Sequence, residues 1–474
     1  MTEHQLFQSA QFKENLKKYE NALQQGSSVY LEPDEFMDIA DFYNMRNEQG
    51  KALEAIGKAM EIFPYADAPI ISMSRMMLVQ QQDIDQAKAY ADKVTDKNDI
   101  EYLYLIAEIL LNEDKEEQAD AYLKEKADGL PTEEMADYAL DVASLFADYE
   151  VYEKAERWLS KASKDDEELY TSIEGRIAFY RKDYAKASAL FNKLIDTDPF
   201  SAHYWNLLAA SQFLQDKIHD SIQSSEYALA IEPDNEEALL NKANGLFGLT
   251  NFKDALKTYE RYQQVNDRDE TAEMLIGITL LNMNETTKAL KHLMKAARKV
   301  KPGSDNRPEI YRELSFALSK LGHTAEAIEF IKSMEGEGKD DAELNVLRGY
   351  VYLENEKEEL AKHYFTKALE ESNHSFDTRL GVAVSYFDCG YLHHAYQMLK
   401  NLYVNIDQSW KDGYSYLAYC CRSLHLKEEY LEALQIACQR NPREARLVLA
   451  DCFPPTLDPE DYYQYELDNY SHDQ

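Results

Sequence analysis

The sequence predicts an all-α fold in which pairs of short helices repeat along nearly the whole chain. In residues 202–235, apolar or small side chains follow the i, i+3, i+4 spacing of one helical face, and a short polar break at 215–219 precedes a second such run. Pro233 ends the second run, because a proline ring cannot continue the helical hydrogen-bond ladder. Two helices joined by so short a turn must pack antiparallel, so this stretch predicts a helical hairpin.

The same pattern recurs every 34 residues, in contiguous copies that begin at 168, 202, 236 and 270. Each copy has a small residue late in its first helix, where two helix backbones must approach closely. Four copies without a slip in spacing indicate an array of stacked hairpins, each too small to bury a core alone. The small residues are Gly175, Ala209, Ala243 and Gly277.

The spacing resembles that of the tetratricopeptide repeat (TPR) family. Its 34-residue unit has Trp, Leu, Gly and Tyr on the first helix and Ala, Phe, Ala and Pro on the second. The strongest single match is 342–375, which carries Gly349, Tyr352, Ala361, Phe365 and Ala368 at the family spacing. The resemblance extends over residues 33–444, and it implies a right-handed α-solenoid of about twelve stacked hairpins with a capping helix at each end.

We divide the chain by the regularity of the repeat. The last segment is rich in acids and tyrosine and has no Lys or Arg, so we expect it to be partly disordered. The predicted segments are 1–32 (capping helix and turn), 33–167 (irregular repeats), 168–303 (four regular repeats), 304–444 (further repeats after a short insertion), 443–452 (C-terminal capping helix) and 453–474 (acidic, tyrosine-rich tail).

Charge and hydropathy restrict the partners. The 87 acidic and 51 basic residues give a formal net charge of −36, which repels nucleic acid and anionic lipid. The amino terminus lacks the basic start and apolar run of a secretory signal, and the chain has no apolar stretch of membrane-spanning length. We therefore expect a cytoplasmic protein with basic or neutral protein partners, and neither nucleic acid nor membrane among them.

In a TPR superhelix, the first helix of each hairpin lines the concave groove. Phe179, Phe213 and Phe247 fall 34 residues apart on that helix and would form a column along the groove. The amides of Asn206 and Asn244 beside them can bond a peptide backbone in both directions. The alternative is that the aromatic position serves packing. The predicted groove residues are Arg176, Phe179, Asn206, Phe213, Asn244, Phe247, Met274 and Arg312, and the stripe continues through Phe316, Val346 and Tyr350.

A basic stripe is the second candidate surface, on the second helix of the copy that begins at 270. In a strongly acidic chain it could dock an acidic partner segment or the chain's own tail. Alternatively, it is a solvated face paired with Glu326 and Glu329 of the next hairpin. The residues of the stripe are Lys288, Lys291, Lys295 and Arg298.

One ligand mode of the family is not expected. TPR proteins that hold the acidic carboxyl terminus of heat-shock chaperones resemble one another in a clamp of Lys and Asn from one hairpin, Asn from the next, and Lys and Arg from the third. Here only Asn241 matches that clamp, and the other positions carry Asn206, Ala210, Thr271 and Leu275. We therefore predict no chaperone carboxylate clamp.

The sequence has no motif for phosphate, dinucleotide or catalytic metal binding. Cysteines and histidines gather between 389 and 425, but no pair has a recognised zinc spacing, and Cys420 and Cys421 fall where the repeat requires small core residues. We predict a non-catalytic scaffold or adaptor without cofactor or metal. The alternatives are a regulator or enzyme of a signalling pathway, similar to TPR phosphatase regulators, and a metal protein that uses this cluster.

Overall fold

The computed structural model describes residues 6–7, 9–25, 27, 29–46, 48–79, 83–131, 134–267, 270–336, 340–403, 410–454 and 457–470. Within these ranges the chain forms α-helices and two 3₁₀ turns, and the described residues contain no β-strand. The predicted all-α hairpin array is confirmed. The chain divides into two compact units, Met1–Leu190 and Phe191–Gln474.

The first unit begins with a capping helix and continues as hairpins. The capping helix packs against the first hairpin through Tyr19, whose ring lies edge-on to Phe36 at 6.0 Å. The helices are α1 (Ala10–Gln25), α2 (Pro33–Met45), α3 (Gln49–Ile62), α4 (Asp67–Val79), α5 (Ile84–Ala91), α6 (Ile100–Asn112), α7 (Glu116–Ala127), α8 (Met135–Asp148), α9 (Tyr152–Leu159), α10 (Glu167–Tyr180) and the start of α11 (Tyr184–Thr197).

The second unit continues the alternation of first and second helices from the end of α11. Its helices are α12 (Ala202–Leu214), α13 (Ile218–Ile231), α14 (Glu236–Gly248), α15 (Phe252–Val265), α16 (Thr271–Asn282), α17 (Thr286–Lys299), α18 (Arg307–Lys320), α19 (Thr324–Ser333), α20 (Asp341–Glu354), α21 (Glu358–Glu371), α22 (Phe376–Asp388), α23 (Leu392–Tyr403), α24 (Tyr414–Ser423), α25 (Lys427–Arg440), α26 (Pro442–Val448) and α27 (Tyr462–Tyr470). Within the described ranges, helices α2 to α25 pair into twelve hairpins, from α2–α3 to α24–α25.

Short polar side chains start many of the first helices. Ser201 and Asn235 each accept a hydrogen bond from the backbone N–H three residues ahead, which satisfies one free donor of the first turn. The side chains of Asp166, Asp340 and Ser375 likewise accept a hydrogen bond from a backbone N–H in the first turn of their helices. These caps help to fix where the hairpins that carry them begin.

In ten of the hairpins, from α6–α7 onwards, the turn reverses the chain through one residue in the left-handed region. At Asp216, φ is 64°, and the next N–H, of Lys217, donates to the carbonyl of Gln212 at 3.0 Å. This arrangement satisfies carbonyl groups at the end of the first helix. The equivalent residues are Asp114, Glu150, Lys182, Asp216, Thr250, Asn284, Gly322, Glu356, Gly390 and His425.

Small residues sit where the two helices of a hairpin cross. Ala209 and Ala228 are fully buried, as the repeat spacing predicts. At Gly349, an added Cβ would collide with the Phe365 ring and lie 2.9 Å from its Cζ atom. The close crossing of α20 and α21 therefore depends on the missing side chain.

Replacing Gly349 with leucine is expected to lower the free energy of unfolding by about 1–3 kcal/mol, because the new side chain overpacks the crossing. Chemical denaturation measures the change. Gly57→Ala is the control, since that helical glycine has nothing within 4 Å of an added Cβ. The control should stabilise the protein by up to about 1 kcal/mol; a Gly349→Leu protein as stable as wild type would contradict the packing at this crossing.

The expectation of partial disorder in 453–474 is wrong for residues 457–470. Pro459–Asp461 forms a 3₁₀ turn that leads into α27. Tyr462 stacks on Phe453 with ring centroids 3.9 Å apart. Glu466 forms an ion pair with Arg422 at 2.8 Å. Buried aromatic rings therefore hold an acidic segment in place; residues 471–474 lie outside the described residues.

Candidate functional site

A cleft of about 590 Å³ opens in the second unit. It is lined by the first helices of successive hairpins, by the turn between α12 and α13 with the start of α13, and by residues 442–447 and 458–460. α12 contributes Phe213, α14 contributes Asn244 and Phe247, and α16 contributes Leu275 and Ile278. The exposed stripe of the first helices thus forms one wall of a cavity large enough for several side chains of a ligand. We call it the phenylalanine cleft.

Both phenylalanines in this cleft are half-buried, so part of each ring is available to a ligand. The Phe252 ring packs edge-on against the Phe247 ring, with the two ring centroids 5.2 Å apart. Asn244 accepts a hydrogen bond of 2.7 Å from the Tyr259 hydroxyl. Its Nδ2 group has no partner among the described residues and can donate to a ligand.

The short helix α26, together with residues 458–460, forms the opposite wall of the phenylalanine cleft. The Arg443 guanidinium bonds the Asp216 carboxylate and the Phe213 carbonyl oxygen, and it lies 4.9 Å from the centroid of the Phe213 ring. Arg446, on the same face of α26, pairs with Asp458 at 2.6 Å. This wall is missing from the sequence prediction, because no local pattern links Arg443 with a turn 227 residues earlier.

Two predicted groove residues lie elsewhere. Asn206 is only 2% exposed, and its Nδ2 donates to Asn235 Oδ1 at 2.9 Å, so this amide joins neighbouring hairpins. Met274 is 5% exposed and packs in the core with Leu293 and Ile310. The prediction is wrong for both, because their helical position faces the next hairpin and not the cleft.

Arg176 and Phe179 belong to the first unit. The Arg176 guanidinium pairs with Asp148 at 2.7 Å and donates to the carbonyl oxygen of Ala147. Phe179 is half-buried and lies edge-on to Tyr184, with ring centroids 5.4 Å apart. Their role in ligand binding stays a prediction.

A second cleft of about 410 Å³ lies further along the second unit, where α18, α20, α22 and α24 contribute most of the lining. It contains Arg312 and the continuation of the predicted stripe, Phe316, Val346 and Tyr350. The Arg312 guanidinium forms ion pairs with the carboxylates of Glu309 at 3.2 Å and Glu313 at 3.1 Å. We call this cavity the acidic cleft, because five carboxylates line it: Glu343, Asp377, Asp388, Asp412 and Glu444.

Two of these carboxylates have raised pKa values. Burial raises the pKa of Asp388 to about 6; Lys320 opposes the shift and Glu354 adds to it. The Asp388 side chain still reaches the cleft, but the protein around it displaces much of its water. Burial also raises the pKa of Glu444, although the N–H groups of Gly413 and Ser415 donate to it at 2.8 and 3.2 Å.

The basic stripe on α17 is partly neutralised within its own hairpin. Lys295 and His292 both contact the buried Glu273, at 3.2 and 2.6 Å, and Lys288 pairs with Glu285. The pairs expected with Glu326 and Glu329 do not occur among the described residues, so that part of the interpretation is wrong. Lys291 and Arg298 are exposed, and docking on this stripe stays a prediction.

The side chains that match a chaperone clamp or could bind a metal make other contacts within the protein. Asn241 Nδ2 donates to the Asn206 carbonyl oxygen at 3.4 Å. Cys420 and Cys421 are fully buried, and burial raises the pKa of each thiol to about 12. In the part of the chain that the structure describes, no group of three His, Cys, Asp or Glu side chains could hold a metal ion.

Two family models match the chain, and both describe a tetratricopeptide repeat. They cover residues 174–236 and 342–374. These two segments therefore carry tetratricopeptide repeats, a repeat found in scaffolds that mediate protein interactions, and the other hairpins described above have the same two-helix arrangement. Within the described ranges, no helix is long and apolar enough to cross a membrane.

Among curated proteins, the chain is similar to the "Protein STIP1 homolog" of Dictyostelium discoideum, with 28% identity over 100 residues. The match includes 21% of this chain and only 18% of that relative.

Among solved structures, the Cut9–Hcn1 hetero-tetramer of the APC/C is 14% identical, with a TM-score of 0.39 over 95% of each chain. YrrB, described as a TPR protein with an unusual peptide-binding site, is 17% identical, with a TM-score of 0.34 over 40% of this chain and 95% of its own. PilF of Pseudomonas aeruginosa is 18% identical, with a TM-score of 0.38 over 46% and 96%. Likeness at this level says nothing about the ligand of this chain.

Proposed function

We propose that the chain is a non-catalytic adaptor that holds a segment of a partner protein in the phenylalanine cleft. The observation that supports this most is the position of Phe213 and Phe247, two half-buried rings on consecutive first helices that line one open cavity. A groove lined by rings at a regular spacing suits an extended or helical segment with apolar anchors.

The contacts in the cleft provide both affinity and orientation. Aromatic rings bury a large apolar area when a ligand covers them, and such rings carry much of the binding energy in protein interfaces. The free Nδ2 group of Asn244 can donate to a backbone carbonyl of the bound segment. Arg443, which lies over the Phe213 ring and pairs with Asp216, fixes the position of the opposite wall relative to α12.

The test begins with selection of a displayed peptide library on the wild-type protein. Enriched peptides are synthesised, and their dissociation constants are measured by calorimetry for wild type and for the Phe213→Ala/Phe247→Ala variant. We expect the variant to bind about 30-fold more weakly or worse, because truncating central aromatic anchors costs about 2 kcal/mol or more. Helical content, measured by circular dichroism, should not change, since neither ring is in the fully buried core.

Phe200→Ala is the matched control, because this phenylalanine of the same unit is 78% exposed and lies outside the cleft. It should bind the selected peptides like wild type. A selection that enriches no peptide, or equal affinities for wild type and the Phe213→Ala/Phe247→Ala variant, would refute the proposal.

A further inference from the structure

The acidic cleft is distinct from the phenylalanine cleft, although α26 contributes to both. Arg443, Arg446 and Leu447 face the phenylalanine cleft, whereas Glu444 faces the acidic cleft. The two cavities therefore lie on different sides of this short helix, and the second unit can contact two segments at once.

The acidic cleft combines an apolar floor with a charged rim. Aromatic and aliphatic side chains form the floor, among them Leu347, Tyr350, Leu380, Trp410 and Tyr416. Tyr350 is buried, whereas Trp410 and Tyr416 are half-buried and keep part of each ring open to the cleft. A ligand with an apolar stem can thus bury it here.

The charge of the rim is strongly one-sided. Among the described residues, five carboxylates line the cleft against a single guanidinium, that of Arg312, and Glu309 and Glu313 already neutralise it. The Asp377 and Asp388 side chains both reach solvent and form neither a hydrogen bond nor an ion pair within the described ranges, although the protein crowds Asp388 enough to raise its pKa. Two carboxylates therefore remain available to a cation from outside.

Lysine and arginine fit both parts of the cleft. Their methylene stems cover apolar surface while the charged head stays near water and carboxylates. A cation over a tyrosine or tryptophan face gains further attraction. A bound cation would also favour the ionised form of Asp388, which burial now disfavours. An acidic segment would instead meet uncompensated like charge.

We infer that the acidic cleft binds a lysine- or arginine-bearing segment of a partner protein, a second docking site beside the phenylalanine cleft. The inference deepens the proposed function, because both assign partner binding to the first helices of the second unit. The inference specifies that one partner segment is basic. Binding at the acidic cleft and binding at the phenylalanine cleft can each fail their own test.

The probe is a fluorescein-labelled peptide that alternates lysine and leucine, and its binding is followed by fluorescence anisotropy at physiological salt. A peptide with glutamate in place of each lysine tests the sign of the charge. The decisive variant is Asp377→Asn/Asp388→Asn, which removes two charges and keeps the shape of both side chains. The matched control is Glu428→Gln/Glu432→Gln, which removes two exposed charges on α25 that line neither cleft.

We expect the lysine probe to bind wild type and the control pair alike, and to bind Asp377→Asn/Asp388→Asn about tenfold more weakly or worse. The glutamate peptide should not bind. Equal losses in both double variants would mean that the overall charge of −36 attracts the probe, and would overturn the inference. If neither double variant binds the lysine probe more weakly than wild type, the inference is overturned as well. Neither result would affect the conclusion about library-selected peptides at Phe213 and Phe247.

Discussion

Replacing Gly413 with alanine is expected to cost about 2–5 kcal/mol of folding stability, the sum of a backbone and a steric penalty. Gly413 has φ of +85°, in the left-handed region that disfavours a Cβ by about 1–2 kcal/mol. The added Cβ would also collide with the Tyr403 hydroxyl and lie 2.6 Å from Leu380 Cδ1, which adds about 1–3 kcal/mol of overpacking.

Urea denaturation measures the total cost, and hydrogen exchange of the segment from α22 to α26 locates it. Gly303→Ala is the control, because Gly303 has φ of +84° and nothing within 4 Å of an added Cβ. The control isolates the backbone penalty of about 1–2 kcal/mol. Equal losses for the two substitutions would show that no close contact exists at Gly413.

This glycine also supports the acidic cleft. The Gly413 N–H donates to the Glu444 carboxylate at 2.8 Å, and the Tyr403 hydroxyl and Trp410 Nε1 both donate to the carbonyl oxygen of Asp412. A side chain at 413 would push this loop away from α26. The stability of the C-terminal hairpins and the shape of the cleft thus depend on the same residue.

Replacing Asp120 with alanine is expected to destabilise the first unit by about 3 kcal/mol, because it removes one partner from a buried charged network. The Asp120 carboxylate accepts hydrogen bonds from Trp158 Nε1 at 2.9 Å and from Lys124 at 2.6 Å. Lys154, which is 3% exposed, lies 3.8 Å away and would keep Glu117 as its partner. The measurement is denaturation followed by tryptophan fluorescence, with hydrogen exchange of α7 and α9 to locate the loss in the first unit.

Glu125→Ala on the same helix is the control, since its side chain is exposed and the change should stay within about 0.5 kcal/mol. Asp120→Asn should fall between wild type and Asp120→Ala, because an amide oxygen can still accept from Trp158. A loss for Asp120→Ala no larger than that of the control would contradict the network.

The loss should also depend on pH. Burial opposes ionisation of Asp120, but its bonds with Lys124 and Trp158 outweigh burial and lower its pKa. A lowered folded-state pKa contributes stability above the unfolded value of about 3.9, and that stability disappears as pH falls through the folded pKa. The difference between wild type and Asp120→Ala should therefore be largest near neutral pH and shrink below about pH 4.

Local spacing predicts the hairpins well, because helix periodicity, polar turns and small crossing residues act within a few dozen residues. The same logic places Phe213 and Phe247 on one face, and both line a single cleft. It fails for Asn206 and Met274, since a helical wheel does not show which neighbouring hairpin covers a position.

Sequence patterns do not predict features that depend on contacts between distant parts of the chain. The wall that α26 adds to the phenylalanine cleft joins Arg443 to Asp216 across most of the unit. The composition of the acidic tail predicts partial disorder, but Phe453 and Tyr462 stack on each other and are buried. The acidic cleft draws on four separate hairpins, so its excess of carboxylates is visible only in three dimensions.

Photo-crosslinking tests most directly whether the first helices of the second unit hold a partner segment. A library-selected peptide with a benzophenone side chain at its apolar anchor is irradiated with the wild-type protein, and mass spectrometry locates the crosslinks. We expect crosslinks to α12, α14 and α16 around Phe213 and Phe247, and their loss when unlabelled peptide is in excess. Crosslinks confined to helices that do not line this cleft, such as α17 and α19, would contradict the assignment of the binding site.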